Sequence, residues 1–153
     1  MSSALPGVID ALVTLSRTAL PSLQVYDGIG ISDDPGDFLM VGVEDPDIEG
    51  AAFSADVQQE RLAMSTAAPR REAGTVTCCA LSWNGDGDQK AARDAAFATV
   101  AAVETILRST SPTLGVSTVL KTELGDRITV SQAQGDTGAS CMAIFSVAYL
   151  AHI

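Results

Sequence analysis

The run ASCMAIFSVAYLAHI, from Ala139 to Ile153, decides how the rest of the chain is read. In an extended chain its odd positions Cys141, Phe145, Val147 and Tyr149 fall on one face and Met142, Ile144 and Leu150 on the other, because side chains alternate with a period of two. Apolar residues on both faces predict a central strand covered on both sides. Fifteen residues at about 3.3 Å each span about 50 Å when straight. A compact domain of this length is only about 40 Å across. The strand is therefore expected to bend, to carry a bulge, or to reach past its own domain to a neighbour.

Working back from that run, Ile128–Gln132 and Thr118–Glu123 read as two further strands. Before them, Ala92, Ala96, Val100, Val103 and Leu107 recur at helical spacing and predict a second helix from about Asp88 to Ser109, with Pro112 beyond its end. The turn formers Asn84, Gly85, Asp86, Gly87 and Asp88 separate this helix from a β-branched strand, Thr75–Trp83. Phe53–Met64 is read as a strand, as are Phe38–Val43 and Leu23–Asp27. At the start, Leu5, Val8, Ile9, Leu12, Leu15 and Ala19 step by three and four, predicting a helix from Leu5 to Leu20 that Pro21 ends. The order of helix, strands, helix, strands predicts the α+β class: a mostly antiparallel sheet with two main helices packed on it, in one domain spanning residues 1–153.

Composition narrows the function classes. A chain of 153 residues buries about 68–70% of the surface it exposes when unfolded, enough for a core without staples. Charged residues are only 18% and hydrophobic ones 46%, so either the core is large or some apolar surface meets a partner, and the second reading is preferred. The net charge of −10, from 19 acids and 9 bases, repels phosphate backbones and argues against nucleic-acid binding by attraction. Three cysteines, two of them the neighbours Cys78 and Cys79, indicate no disulfide framework and suit a reducing compartment. The apolar stretch Ala4–Leu20 contains Asp10 and Arg17 and is broken by Pro6 and Gly7, so it does not read as a signal peptide. No run reaches the roughly 18 apolar residues of a membrane-spanning helix.

A catalytic centre is hard to assemble from these residues. His152 is the only histidine, so a neutral-pH base has one candidate, next to the last residue. There is no G-x-S-x-G elbow and no phosphate-cradling P-loop, and Gly28-Ile29-Gly30 lacks the third glycine of a dinucleotide loop because Asp33 stands there. Asn84, Asp86 and Asp88 alternate like calcium ligands, but Gln89 follows where a glycine is needed, and a turn with a helix cap explains them better. Cys78, Cys79 and Cys141 lack the C-x-x-C spacing of a zinc site and read as small buried hydrophobes. The expectation is no enzyme, no cofactor, no metal and no catalytic residue.

The charge pattern is the residual signal. From Thr18 to Glu60 there are ten acids and no lysine or arginine, and bases resume at Arg61, Arg70 and Arg71. Asp33, Asp34, Asp37, Glu44, Asp45, Asp47, Glu49, Arg61, Arg70 and Arg71 are accordingly the candidate interface or lumen residues. Such acidic loops either keep a monomer soluble, meet a basic patch on a neighbour, or line a passage through which a polyanion slides.

Several segments in order along the chain carry a resemblance: Leu5-Pro6-Gly7-Val8-Ile9-Asp10-Ala11-Leu12, Val25-Tyr26-Asp27-Gly28, Asp33-Asp34-Pro35-Gly36-Asp37, Val41-Gly42-Val43, Gly74-Thr75-Val76-Thr77-Cys78, and Leu81-Ser82-Trp83-Asn84-Gly85-Asp86 leading into Lys90-Ala91-Ala92-Arg93. In these the chain resembles the tail terminator proteins of long-tailed bacteriophages, particularly those infecting actinobacteria. Phe53–Arg70 matches no part of that pattern.

The resemblance implies a homo-hexameric ring at the head-proximal end of the tail tube, which stops tube polymerisation and offers the surface on which the filled head docks. Its partners would be copies of itself, the tail tube protein and the head–tail connector protein, with DNA only passing through the lumen and no membrane. The chain would be made in the host cytoplasm and end in the virion. Six copies at −10 each would put −60 on one ring, facing DNA that carries one charge per about 1.7 Å of axis. The competing readings are another head–tail joining or connector subunit and a small cytosolic ligand-binding protein.

Overall fold

The computed structural model describes residues 2–30, 36–44, 53–61 and 68–153. The decisive run forms strand β6 (Gly138–His152), which pairs antiparallel with β4 (Arg70–Asn84) in an unbroken ladder from Arg71–His152 to Asn84–Ala139. The remaining elements are α1 (Leu5–Ala19), β1 (Gln24–Asp27), β2 (Phe38–Val41), β3 (Ala55–Arg61), α2 (Gln89–Thr105) and β5 (Val119–Gly135). The sheet order is β1-β2-β4-β6-β5, with β3 also on β4. Among the described residues only β1 and β2 are parallel, and every other pairing is antiparallel. The fold is α+β: two helices and a six-stranded, mostly antiparallel sheet.

β6 is central, between β4 and β5, as its composition predicts. Its odd face is the core: Cys141, Ala143, Phe145, Val147, Tyr149 and Ala151 are buried on the helix side, where α2 packs on β6 and β4 and α1 on β1 and β2, with Val76, Cys78 and Ala80 of β4 beside them. The even face is covered less than expected. Ile144 is buried, but Met142 and Leu150 are only half-buried, because both helices lie on the other side of the sheet.

The length problem is solved in the neighbour. β5 carries one extra residue between Val119 and Lys121 and two more between Leu124 and Ile128, while β4 and β6 keep regular register. Such bulges raise the local twist and let a long hairpin coil. The two strands expected at Thr118–Glu123 and Ile128–Gln132 are thus one, interrupted in its pairing at Gly125–Arg127.

Other boundaries move for local reasons. β4 starts at Arg70, five residues before the β-branched run, because pairing with β3 on one side and β6 on the other holds Arg70–Gly74 extended. The strand expected over Phe53–Met64 is Ala55–Arg61 among the described residues. α2 is α-helical to Thr105 and then widens into a π-turn at Ile106–Thr110, which keeps Ile106 and Leu107 both buried. On α1 the buried positions are Val8, Leu12, Val13 and Ser16, while Ala19 is exposed in the last turn.

Gly74 marks the tightest approach between β4 and β6. A Cβ there would stand 2.5 Å from the Tyr149 ring, which crosses over it on the helix side. Gly74→Ala is expected to displace Tyr149 and cost about 1–3 kcal/mol, read as a lower urea midpoint with unchanged slope.

Candidate functional site

With both helices on one side, the other face of the sheet carries no helix among the described residues, only a small cluster of Val43, Cys79 and Ile144 with Met40 and Met142 packed against it, and its two ends differ. One end is apolar: Ile29, Met40, Val43, Cys79, Met142 and Ile144 line a shallow hollow of about 310 Å³, with Glu44 at its rim. Tyr26 and Phe38 pack edge to face beside it, their ring centres 5.8 Å apart. The other end combines charged side chains with the apolar Ala73, Ala148 and Leu150. Asp56, Gln58, Arg71, Thr75, Lys121 and Glu123 surround an open hollow of about 320 Å³, with charges of both signs.

The candidate interface residues fall into three groups. Asp33, Asp34, Asp45, Asp47 and Glu49 lie outside the described residues. Asp37 and Glu44 are exposed, and Asp37 is engaged locally: its Oδ1 accepts hydrogen bonds from Ser82 Oγ at 2.8 Å and the Trp83 amide at 3.0 Å, fastening the start of β2 to the end of β4. Arg61, Arg70 and Arg71 come together where β3 and β4 meet. Arg61 is in register with Arg70, and Arg71 is flanked by Glu60 and His152. Arg70 donates from Nη1 to Gln59 Oε1 at 3.0 Å. The described acids Asp27, Glu44, Asp56 and Glu60 are all exposed on the β1–β3 side of the sheet.

The turn before α2 uses its polar atoms internally. Asn84 Oδ1 accepts from the amides of Asp86 and Asp88, and Asp88 caps α2 by accepting from the Ala91 amide at 3.1 Å. Among the described residues no three His, Cys, Asp or Glu side chains gather as metal ligands do. No described helix is long and apolar enough to cross a membrane.

Sequence reading missed the one buried charge among the described residues. Glu72 is fully buried on the helix side of β4. Its Oε1 accepts from Tyr149 Oη at 2.8 Å, the Ala4 amide at 2.8 Å and Ser3 Oγ at 3.0 Å, while Oε2 accepts from Gln59 Nε2 at 2.7 Å. Ala4 at the N-cap of α1 has no capping side chain; Ser3 Oγ accepts from the Leu5 amide at 3.1 Å, and a carboxylate from β4 supplies the anionic partner that a helix N-terminus favours. Burial pushes the Glu72 carboxyl up, but the bonds from Tyr149, Gln59, Ala4 and Ser3 together outweigh it and leave it below the usual carboxylate range. Burial, followed by the Glu72 bond and charge, pushes the Tyr149 hydroxyl well above its ordinary value.

The three cysteines are free and buried. Burial pushes the thiol of Cys78 up to about 12 and that of Cys79 to about 11, and burial raises Cys141 as well. None is a poised nucleophile.

No protein-family model matches this chain, and neither does any curated protein sequence.

Two measurements check this reading. Because the folded pKa of Glu72 is depressed, its contribution is complete above the unfolded value of about 4.3 and is lost as pH falls through the folded value. Glu72→Gln puts an amide donor against the donors that the carboxylate accepts, so it should cost about 1–3 kcal/mol at pH 7 and flatten the fall in stability between pH 5 and 3, followed by urea unfolding. For the cysteines, alkylation at pH 8 should be negligible in the native chain and reach all three thiols in urea.

Proposed function

We propose that this chain is a non-enzymatic structural subunit of a phage tail, which forms a ring at the head-proximal end of the tube, ends tube polymerisation and presents the surface on which the head docks. The observation that carries the reading is the one-sided cover of the sheet. A 153-residue chain with material for a full core leaves one face without a helix among the described residues, with a shallow apolar hollow at one end and mixed charges at the other. Apolar patches of this kind mark surfaces that mate with other proteins. The family resemblance supports the same role, and its most distinctive segment, Leu81–Asp86 leading into Lys90–Arg93, forms the corner where β4 hands over to α2.

Physically, the role asks for a closed ring whose two faces differ: one fits the last layer of tube subunits and the other refuses a further layer. Only shape and charge are required. The acidic bias suits such a ring, because DNA passing through a lumen of like sign is not held by counterion release. A second head–tail joining role draws on the same surfaces.

Tail length separates the two. Particles assembled without this chain should carry tubes that grow past their proper length, scored by electron microscopy. Normal-length tubes that fail to join heads would move the chain to the connector side of the junction.

A further inference from the structure

Strand register builds the apolar hollow on the helix-free face. Met40 of β2, Cys79 of β4 and Ile144 of β6 stand opposite one another across three paired strands, and Val43 and Met142 complete the floor. The Gly42 and Val43 amides both donate to the Thr77 carbonyl, at 2.8 and 3.0 Å, and fold the chain after β2 back onto this face. Ile29 forms the outer wall. It is 72% exposed, yet it is held in place, because the next amide, that of Gly30, donates to Met40 Sδ at 3.4 Å.

Charge around the hollow has one sign. Glu44 is the one charged residue of its lining. Ile29, Met40, Val43 and Glu44 all belong to the stretch from Thr18 to Glu60 that has ten acids and no lysine or arginine. Among the described residues neither Glu44 nor the exposed Asp27, two positions before Ile29, takes part in an ion pair. Met40 and Met142 are half-buried, and methionine, unbranched and polarisable, reshapes around an incoming ring and makes favourable sulfur–aromatic contacts. A methionine-lined hollow in a negative field selects an apolar side chain carried on a positively charged segment, and the same field repels an anionic lipid surface.

We infer that this hollow is a docking site for a segment of a partner protein in which an aromatic side chain is flanked by lysine or arginine. The ring enters between Ile29, Met40 and Met142, and the flanking cations lie against Glu44 and its acidic surroundings. A buried aromatic anchor supplies most of the affinity of such a contact, while opposite charge speeds the encounter and fixes the register. The occupant belongs to a different protein, because in this chain no aromatic residue lies within three positions of a lysine or arginine. The site stands whether or not the chain forms a ring.

The test follows the methyl resonances of Met40 and Met142 in the full-length chain, labelled at its methionine methyls, as a short peptide with one phenylalanine between lysines is added. Both signals should move and saturate. A peptide with alanine in place of the phenylalanine, and one with glutamates in place of the lysines, should each bind at least about tenfold more weakly. Glu44→Lys should weaken binding of the lysine peptide and flatten its dependence on salt. Ile29→Ser, at an exposed position, should weaken it with the melting temperature unchanged. Equal binding of the alanine or glutamate peptide, shifts confined to residues away from both methionines, or no saturable binding would overturn the site. Shifts of the same two methyls on concentrating the protein alone would make the occupant a second copy and overturn it as well.

Discussion

The β4–β6 ladder is the constraint on which everything else depends. Two fifteen-residue strands in regular antiparallel register place Val76, Cys78 and Ala80 beside Phe145, Val147 and Tyr149 on one face, and Cys79 beside Ile144 on the other. Because register fixes facing with a period of two, a one-residue slip would exchange the core for the helix-free face. Both helices pack on the first face, and every further strand must add at the margins. The helix-free face and the two sheet edges are therefore direct consequences of this one ladder.

Glu72 ties the remaining parts to it. A single carboxylate collects donors from the entrance to α1, from β3 and from β6, three elements far apart in sequence. A buried charge without a cation is tolerated only when its lone pairs are this fully occupied. Gly74, two residues on and on the same side, makes room for the Tyr149 ring whose hydroxyl completes the set. The cluster is structural: it orients α1 against the sheet margin that carries β3.

Much of the fold was legible because its signals are local and periodic. The alanine and valine stripe of α2, the cap at Asp88, the turn run after Trp83 and the two-faced run from Ala139 each state their own structure. What escaped depends on tertiary pairing. Arg70–Gly74 lacks strand propensity and is extended by its neighbours on both sides; the break inside β5 is a register event; and the partial exposure of Met142 and Leu150 follows from where the helices sit. Glu72 had a signal, a carboxylate in phase with Val76, Cys78 and Ala80, that a strand begun at Thr75 left out of view. Of the candidate interface residues, Arg61, Arg70 and Arg71 lie together where β3 pairs with β4, a neighbourhood set by strand register, whereas Asp37 accepts from Ser82 and the Trp83 amide within the chain.

The helix-free face leaves a chain whose unspent chemistry is all at its surface, and the proposed role uses that surface against identical copies. The most direct measurement is an image reconstruction of the assembled particle with this chain located in it. A closed ring of copies at the collar, between tube and head, is the predicted result. A single copy, or copies placed anywhere else in the particle, would contradict it.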